Sequence, residues 1–102
     1  GEGNNLNVPL PLHTTGEWYM QALDLVLDRI HLFRPWALVI AVGFDTYGGD
    51  PISKFALTTN DYPVIAQRIK KLNVPTVIVQ EGGYNTEALG WNAAAFLGEF
   101  AA

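Results

Sequence analysis

Apolar positions along the chain follow two rhythms. Between Glu17 and Phe33, the residues Tyr19, Ala22, Leu23, Val26, Leu27, Ile30 and Phe33 recur at helical spacing on one face. Pro35 stops that run. Ahead of it, Thr14-Thr15-Gly16-Glu17 places Glu three residues after Thr, the capping-box pattern. The spacing predicts a helix from about Glu17 to Phe33. A second helical stripe carries Ile65, Ile69 and Leu72. Thr58, Thr59, Asn60 and Asp61 offer N-caps for it, Pro63 suits a first turn, and Arg68, Lys70 and Lys71 fall where cations favour the helix dipole. A third stripe runs through Ala88, Leu89, Asn92, Ala93, Phe96, Leu97 and Phe100. Gly90 inside it costs about 1 kcal/mol against Ala, and close packing on a sheet is the expected reason for it.

The other rhythm is that of strands. Trp36 to Val42 is a continuous apolar run, β-branched toward its end and too short for a helix. It reads as a strand buried on both faces. Thr76 to Gln80, after the turn Asn73-Val74-Pro75, reads as a second buried strand. Leu6 to Leu12 alternates apolar residues with Asn7, Pro9 and Pro11, and suits an edge strand. The predicted order is β-α-β-α-β-α. Strands joined by crossover helices lie parallel, with helices on both faces, so the fold class is α/β: a parallel sheet with flanking helices.

Composition narrows the possibilities. Apolar residues make up 49% and charged residues 16%, the reverse of a disordered segment. The net charge of −4, with no basic cluster, argues against a phosphate-backbone binder, so no nucleic-acid partner is expected. Cysteine is absent, which removes disulfides, Cys-ligated zinc and thiol catalysis. No apolar run approaches the roughly 18 residues of a membrane span, and no signal-peptide pattern is visible in these residues. The expectation is a soluble, cytoplasmic chain. So much apolar surface on a short chain further suggests a partner or additional polypeptide to cover it.

In an open parallel sheet, ligands bind beyond the carboxyl ends of the strands. Two loops leave those ends, Gly43 to Pro51 and Glu81 to Asn85. With adjacent strands, Asp45 and Tyr84 converge on one cleft. Asp45 reads either as a turn residue or as a metal ligand or general base. Tyr84 reads either as a ring packed on the sheet end or as a hydroxyl aimed at a developing oxyanion. Asp50 before Pro51 reads as a turn former, Glu81 as paired or solvated, and His31 as a surface residue near a helix end. His13, in a loop, carries little prospect as a ligand. Spacing alone names no reaction.

The two loops nevertheless form a pattern. Val42-Gly43-Phe44-Asp45-Thr46-Tyr47-Gly48-Gly49-Asp50-Pro51, followed by Glu81-Gly82-Gly83-Tyr84, resembles the histone deacetylase superfamily. Pro51 to Phe55 and the Gly1 to Leu12 segment look closest to the acetylpolyamine amidohydrolase branch. The resemblance implies the arginase–deacetylase α/β fold and hydrolysis of N-acetyl amides, with one Zn²⁺ held by two Asp and one His. It implies that Asp45 is one of those Asp ligands. Tyr84 would donate a hydrogen bond to the acetyl carbonyl, and Gly82 and Gly83 would let the backbone approach the substrate channel.

The family's Asp-x-His zinc motif and paired-His motif have no counterpart in these residues, and neither His13 nor His31 lies in a matching context. The resemblance therefore points to a C-terminal portion, with residues 1–102 a partial deacetylase-like domain that is inactive alone and binds no zinc alone. In the complete enzyme the substrate would be an acetylated amine, a polyamine or acetyl-lysine. The alternative is a naturally truncated, non-catalytic relative that self-associates or binds a partner. In the family's sheet two further strands separate the Leu6–Leu12 strand from the other two. Strands deprived of neighbours are pairing sites, so a homo-oligomer is expected.

Overall fold

A computed structural model describes residues 3–101. Gly1 and Glu2, which begin the Gly1–Leu12 motif, lie outside the described residues. The elements are α1 (Gly16–Phe33), β1 (Leu38–Val42), a 3-10 turn (Phe44–Thr46), α2 (Asp61–Lys70), β2 (Thr76–Gln80) and α3 (Thr86–Ala101). β1 and β2 pair in parallel, from Leu38 opposite Thr76 to Val42 opposite Gln80. No described helix is long and apolar enough to cross a membrane.

Each element has a local cause. α1 ends where Arg34 adopts the left-handed conformation (φ 57°) and its N–H reaches back to the carbonyls of Ile30 and His31. Pro35 then prevents continuation. At the start of α2, Asp61 Oδ2 accepts from the N–H of Thr58 (2.7 Å) and from its hydroxyl (3.2 Å). Pro63 sits in the first turn, where its missing N–H is not needed. Asn73, at φ 55°, turns the chain toward β2.

The core lies on one face of the strand pair. Met20 of α1, Tyr62, Ile65, Ala66 and Ile69 of α2 and Phe96 of α3 meet Phe44 and Leu57 there. Leu38, Ile40, Val42 and Ile78 pack against them from the sheet. Asn92, fully buried in α3, accepts a hydrogen bond from the Thr59 hydroxyl at 2.7 Å, so its polar group is satisfied.

Several expectations need correction. Leu6–Leu12 forms no strand; it runs as coil. Pro9 and Pro11 have no N–H to give, and among the described residues no strand lies beside the segment. The only pairing nearby is an isolated bridge of Thr15 with Ala56 among the described residues. The observed order is therefore α-β-α-β-α. The Thr14–Glu17 capping box does not form: Thr15 is the N-cap without a side-chain bond, and the Thr14 hydroxyl donates to the Pro11 carbonyl at 2.6 Å.

The strands are not buried on both faces. Val39 is 71% exposed and Val77 60%, because the described helices gather over the opposite face. Gly90 does not mark a close approach either, since a Cβ there would meet nothing within 4 Å.

Candidate active site

The strand pair continues past its ends as two tied loops. The N–H of Glu81 donates to the Val42 carbonyl at 2.8 Å, and the N–H of Phe44 donates to the Gly82 carbonyl at 2.7 Å. Phe44 is buried edge-on to Tyr62 (centroids 5.3 Å) and to Phe96 (6.0 Å). This aromatic anchor fixes the 3-10 turn, and Asp45 is the next residue.

The Asp45 carboxylate lies between two glycines. A Cβ at Gly82 would stand 2.8 Å from its Oδ2 and 2.9 Å from its Cγ; a Cβ at Gly43 would stand 2.6 Å from its Oδ1. Gly82 is therefore the space in which this carboxylate rests. If Asp45 ligates a metal in the full-length gene product, Gly82→Ala there is expected to weaken metal binding about 10–100-fold, the range seen when the groups that orient a ligand are disturbed. Competition with a fluorescent chelator, alongside a melting curve, checks this; unchanged metal affinity would count against Asp45 as a ligand.

Gly83 has φ +146°, a conformation that disfavours side chains, and a Cβ there would press on Leu89 (2.8 Å) and Phe44 (3.2 Å). Tyr84 follows, 49% exposed. Beneath Asp45, the Thr46 hydroxyl and the Tyr62 phenol share a hydrogen bond of 2.9 Å. Burial pushes the Tyr62 phenol well above the ordinary tyrosine value against the opposing Thr46 bond, with smaller upward contributions from Tyr19, Asp45 and Asp61. Tyr19 is raised by burial and then by the Asp45 charge. Both phenols stay protonated at neutral pH.

Asp50 is spent differently from Asp45. It is 6% exposed, and its Oδ1 accepts from the N–H groups of Ile52 (2.8 Å) and Ser53 (3.0 Å). Its Oδ2 accepts from the N–H of Tyr84 at 2.8 Å. Burial alone would raise its pKa, but backbone donors at Ser53, Tyr84, Ile52 and Asn85 together hold it below the usual carboxylate range. Asp50 is thus a turn former, as expected from Asp-Pro, and also a tie between the loops, which was not. Asn85 is a second such tie: its Nδ2 donates to the Gly49 carbonyl at 2.9 Å while its Oδ1 accepts from the N–H of Ala88. An Asn directly ahead of a helical stripe is an N-cap signal, and the cap was readable where the tie was not.

Glu81 is exposed, and His31 is exposed in the last turn of α1. His13 sits in the loop before α1 at φ 65°. Among the described residues no three His, Cys, Asp or Glu side chains come together as a metal site. A zinc site needs at least three protein ligands. These residues therefore do not make up a zinc site on their own; among the described residues the Asp45 carboxylate enters no hydrogen bond or ion pair.

Residues 1–100 match the histone deacetylase domain. The chain belongs to the histone deacetylase family. It is 42% identical, over its whole length, to an acetylpolyamine amidohydrolase of Burkholderia pseudomallei and covers 30% of that protein. It is 45% identical over 95% of its length to acetylpolyamine amidohydrolase 1 of Pseudomonas aeruginosa, covering 28% of it. The crystal structure of the acetylpolyamine aminohydrolase from Burkholderia pseudomallei superposes with a TM-score of 0.91 at 42% identity, over 96% of this chain and 29% of that one. The chain thus spans about 30% of the length of the relatives it matches. The parallel strand pair with flanking helices is part of the deacetylase fold, as the loop motifs implied.

Proposed function

We propose that the full-length gene product hydrolyses N-acetyl amides, with acetylated polyamines as the substrate class, and that Asp45 and Tyr84 stand at its reacting centre. The observation that carries this reading is the contrast between two aspartates of one loop. Asp50 is bonded on both oxygens by backbone donors, whereas Asp45 keeps its carboxylate uncommitted at the strand ends, framed by Gly43 and Gly82. The relatives' identities of 42% and 45% to acetylpolyamine amidohydrolases support the substrate class.

In this reading Asp45 is one ligand of a Zn²⁺ whose remaining ligands lie outside these residues. Zinc, when bound at such a site, supplies Lewis acidity and a water of lowered pKa. Tyr84 donates a hydrogen bond from its phenol to the acetyl carbonyl oxygen, where negative charge grows in the transition state. Phe44, wedged in the core, keeps the Asp45 turn from shifting. The described residues supply one ligand of such a set, Asp45, and on their own are expected to turn over nothing.

The test is acetate release by the full-length gene product from an N-acetylated polyamine and from an acetyl-lysine peptide, before and after chelation. Hydrolysis favouring the polyamine, abolished by the chelator and restored by zinc, is the expected result. No acetate from either substrate by the zinc-loaded protein would overturn the reading.

A second reading rests on the exposed sheet face, Val39 and Val77, together with Trp36 at 94% exposed. Apolar surface of this kind favours association, and the reading is a non-catalytic chain that covers the face with a second copy. Native mass spectrometry of the purified chain with added zinc separates the two: a metal-free dimer supports self-association, and a monomer at high concentration refutes it.

A further inference from the structure

We infer that Asp50 is a positioning residue for the reaction: its carboxylate clamps the backbone of Tyr84 to the loop that carries Asp45, and so sets where the Tyr84 phenol stands. This inference rests on the role proposed above for Tyr84.

The two oxygens of Asp50 do different things. Oδ1 serves the turn, accepting from Ile52 and Ser53, two and three residues ahead. That is ordinary aspartate turn chemistry. Oδ2 reaches a residue 34 positions away, the N–H of Tyr84, and a local turn does not need that bond. The bond is charge-assisted and part-buried, which makes it stronger than a neutral one.

The surroundings direct that strength at one residue. Gly83, just before Tyr84, is held at φ +146° against Leu89 and Phe44. Asn85, just after it, is tied to the Gly49 carbonyl and caps α3. The Asp50 loop is itself fastened: the N–H of Asp50 donates to the Tyr47 carbonyl at 3.0 Å, and that of Gly48 to the Leu57 carbonyl at 2.7 Å. The Tyr84 peptide is thus pinned on three sides while its side chain is half exposed. A phenol with little packing around it takes its place from its backbone. Release of the peptide lets the hydroxyl spread over several positions, and misplacement by about 1 Å can cost 10²-fold in rate.

The test is a double-mutant cycle in the zinc-loaded full-length gene product, with Asp50→Asn, Tyr84→Phe and the pair. Asn keeps the shape and the acceptor for the turn, but its amide nitrogen cannot accept from Tyr84. Asp50→Asn is expected to lower kcat about 10–100-fold, with KM and zinc content unchanged, and to have little effect once Tyr84 is Phe. An equal loss in both backgrounds, or an unchanged kcat, overturns the inference while leaving Tyr84 in its role. If Tyr84→Phe alone keeps full kcat, the underlying reading fails and the inference falls with it. Should Asp50→Asn not fold, Asn85→Asp breaks the neighbouring tie to Gly49 and keeps the cap acceptor. It is expected to show a smaller kcat loss, again only when the Tyr84 hydroxyl is present, and an equal loss in both backgrounds overturns the inference there too.

Discussion

In the full-length gene product, on the proposed reading, Tyr84→Phe is expected to lower kcat about 10²–10³-fold, the range found when one oxyanion donor is removed, while KM and melting temperature stay near wild type. Three features lead to this result. Tyr84 leaves the end of β2, beside the loop that carries Asp45, and the two loops are joined by the Phe44–Gly82 and Tyr84–Asp50 hydrogen bonds. Its ring is half exposed, so deletion of the hydroxyl opens no cavity and costs the fold little. The phenol is free to donate to a substrate, and a donor aimed at developing charge gains strength in the transition state rather than in the ground state. Steady-state kinetics with an acetylated polyamine decide the matter. A kcat equal to wild type would remove Tyr84 from the reaction.

The Phe96→Ala protein is expected to lose about 3–5 kcal/mol of stability, as buried aromatic truncations do. That is a large share of the 5–15 kcal/mol typical of a whole domain. Phe96 is 1% exposed and lies edge-on to Phe44 and tilted against Phe100. It closes the core between α3 and the 3-10 turn. Because Phe44 directly precedes Asp45, the cavity opens below the candidate ligand, and metal affinity should fall together with stability. Urea denaturation of wild type and variant measures the first effect; an unchanged midpoint would show that the core does not depend on this ring.

The periodic segments were legible because their signals are local. β2 has the predicted limits, β1 loses only Trp36 and Ala37 from its start, and α1 ends at Phe33 ahead of Pro35. Leu6–Leu12 was read as a strand from alternation, yet a strand exists only through a neighbour, and no residue within the segment reports whether one is there. The two-sided burial of β1 failed for a related reason: an apolar run states what a face prefers, not whether anything covers it. The Thr14–Glu17 pattern lost to a competing bond from Thr14 to Pro11.

At the site, the Asp45 and Tyr84 loops were found from the position of strand ends and from their motifs. The Gly82 cradle and the Asp50 tie were not. Both are contacts between residues more than 30 positions apart, with no signature in either segment alone.

The most direct measurement is the zinc content per chain of the full-length gene product and its Asp45→Asn variant, purified side by side. The account predicts one zinc per chain in the wild type and loss of that zinc in the variant, with the melting behaviour of the apoproteins alike. Equal zinc in the two proteins would contradict it and return Asp45 to the role of a turn residue.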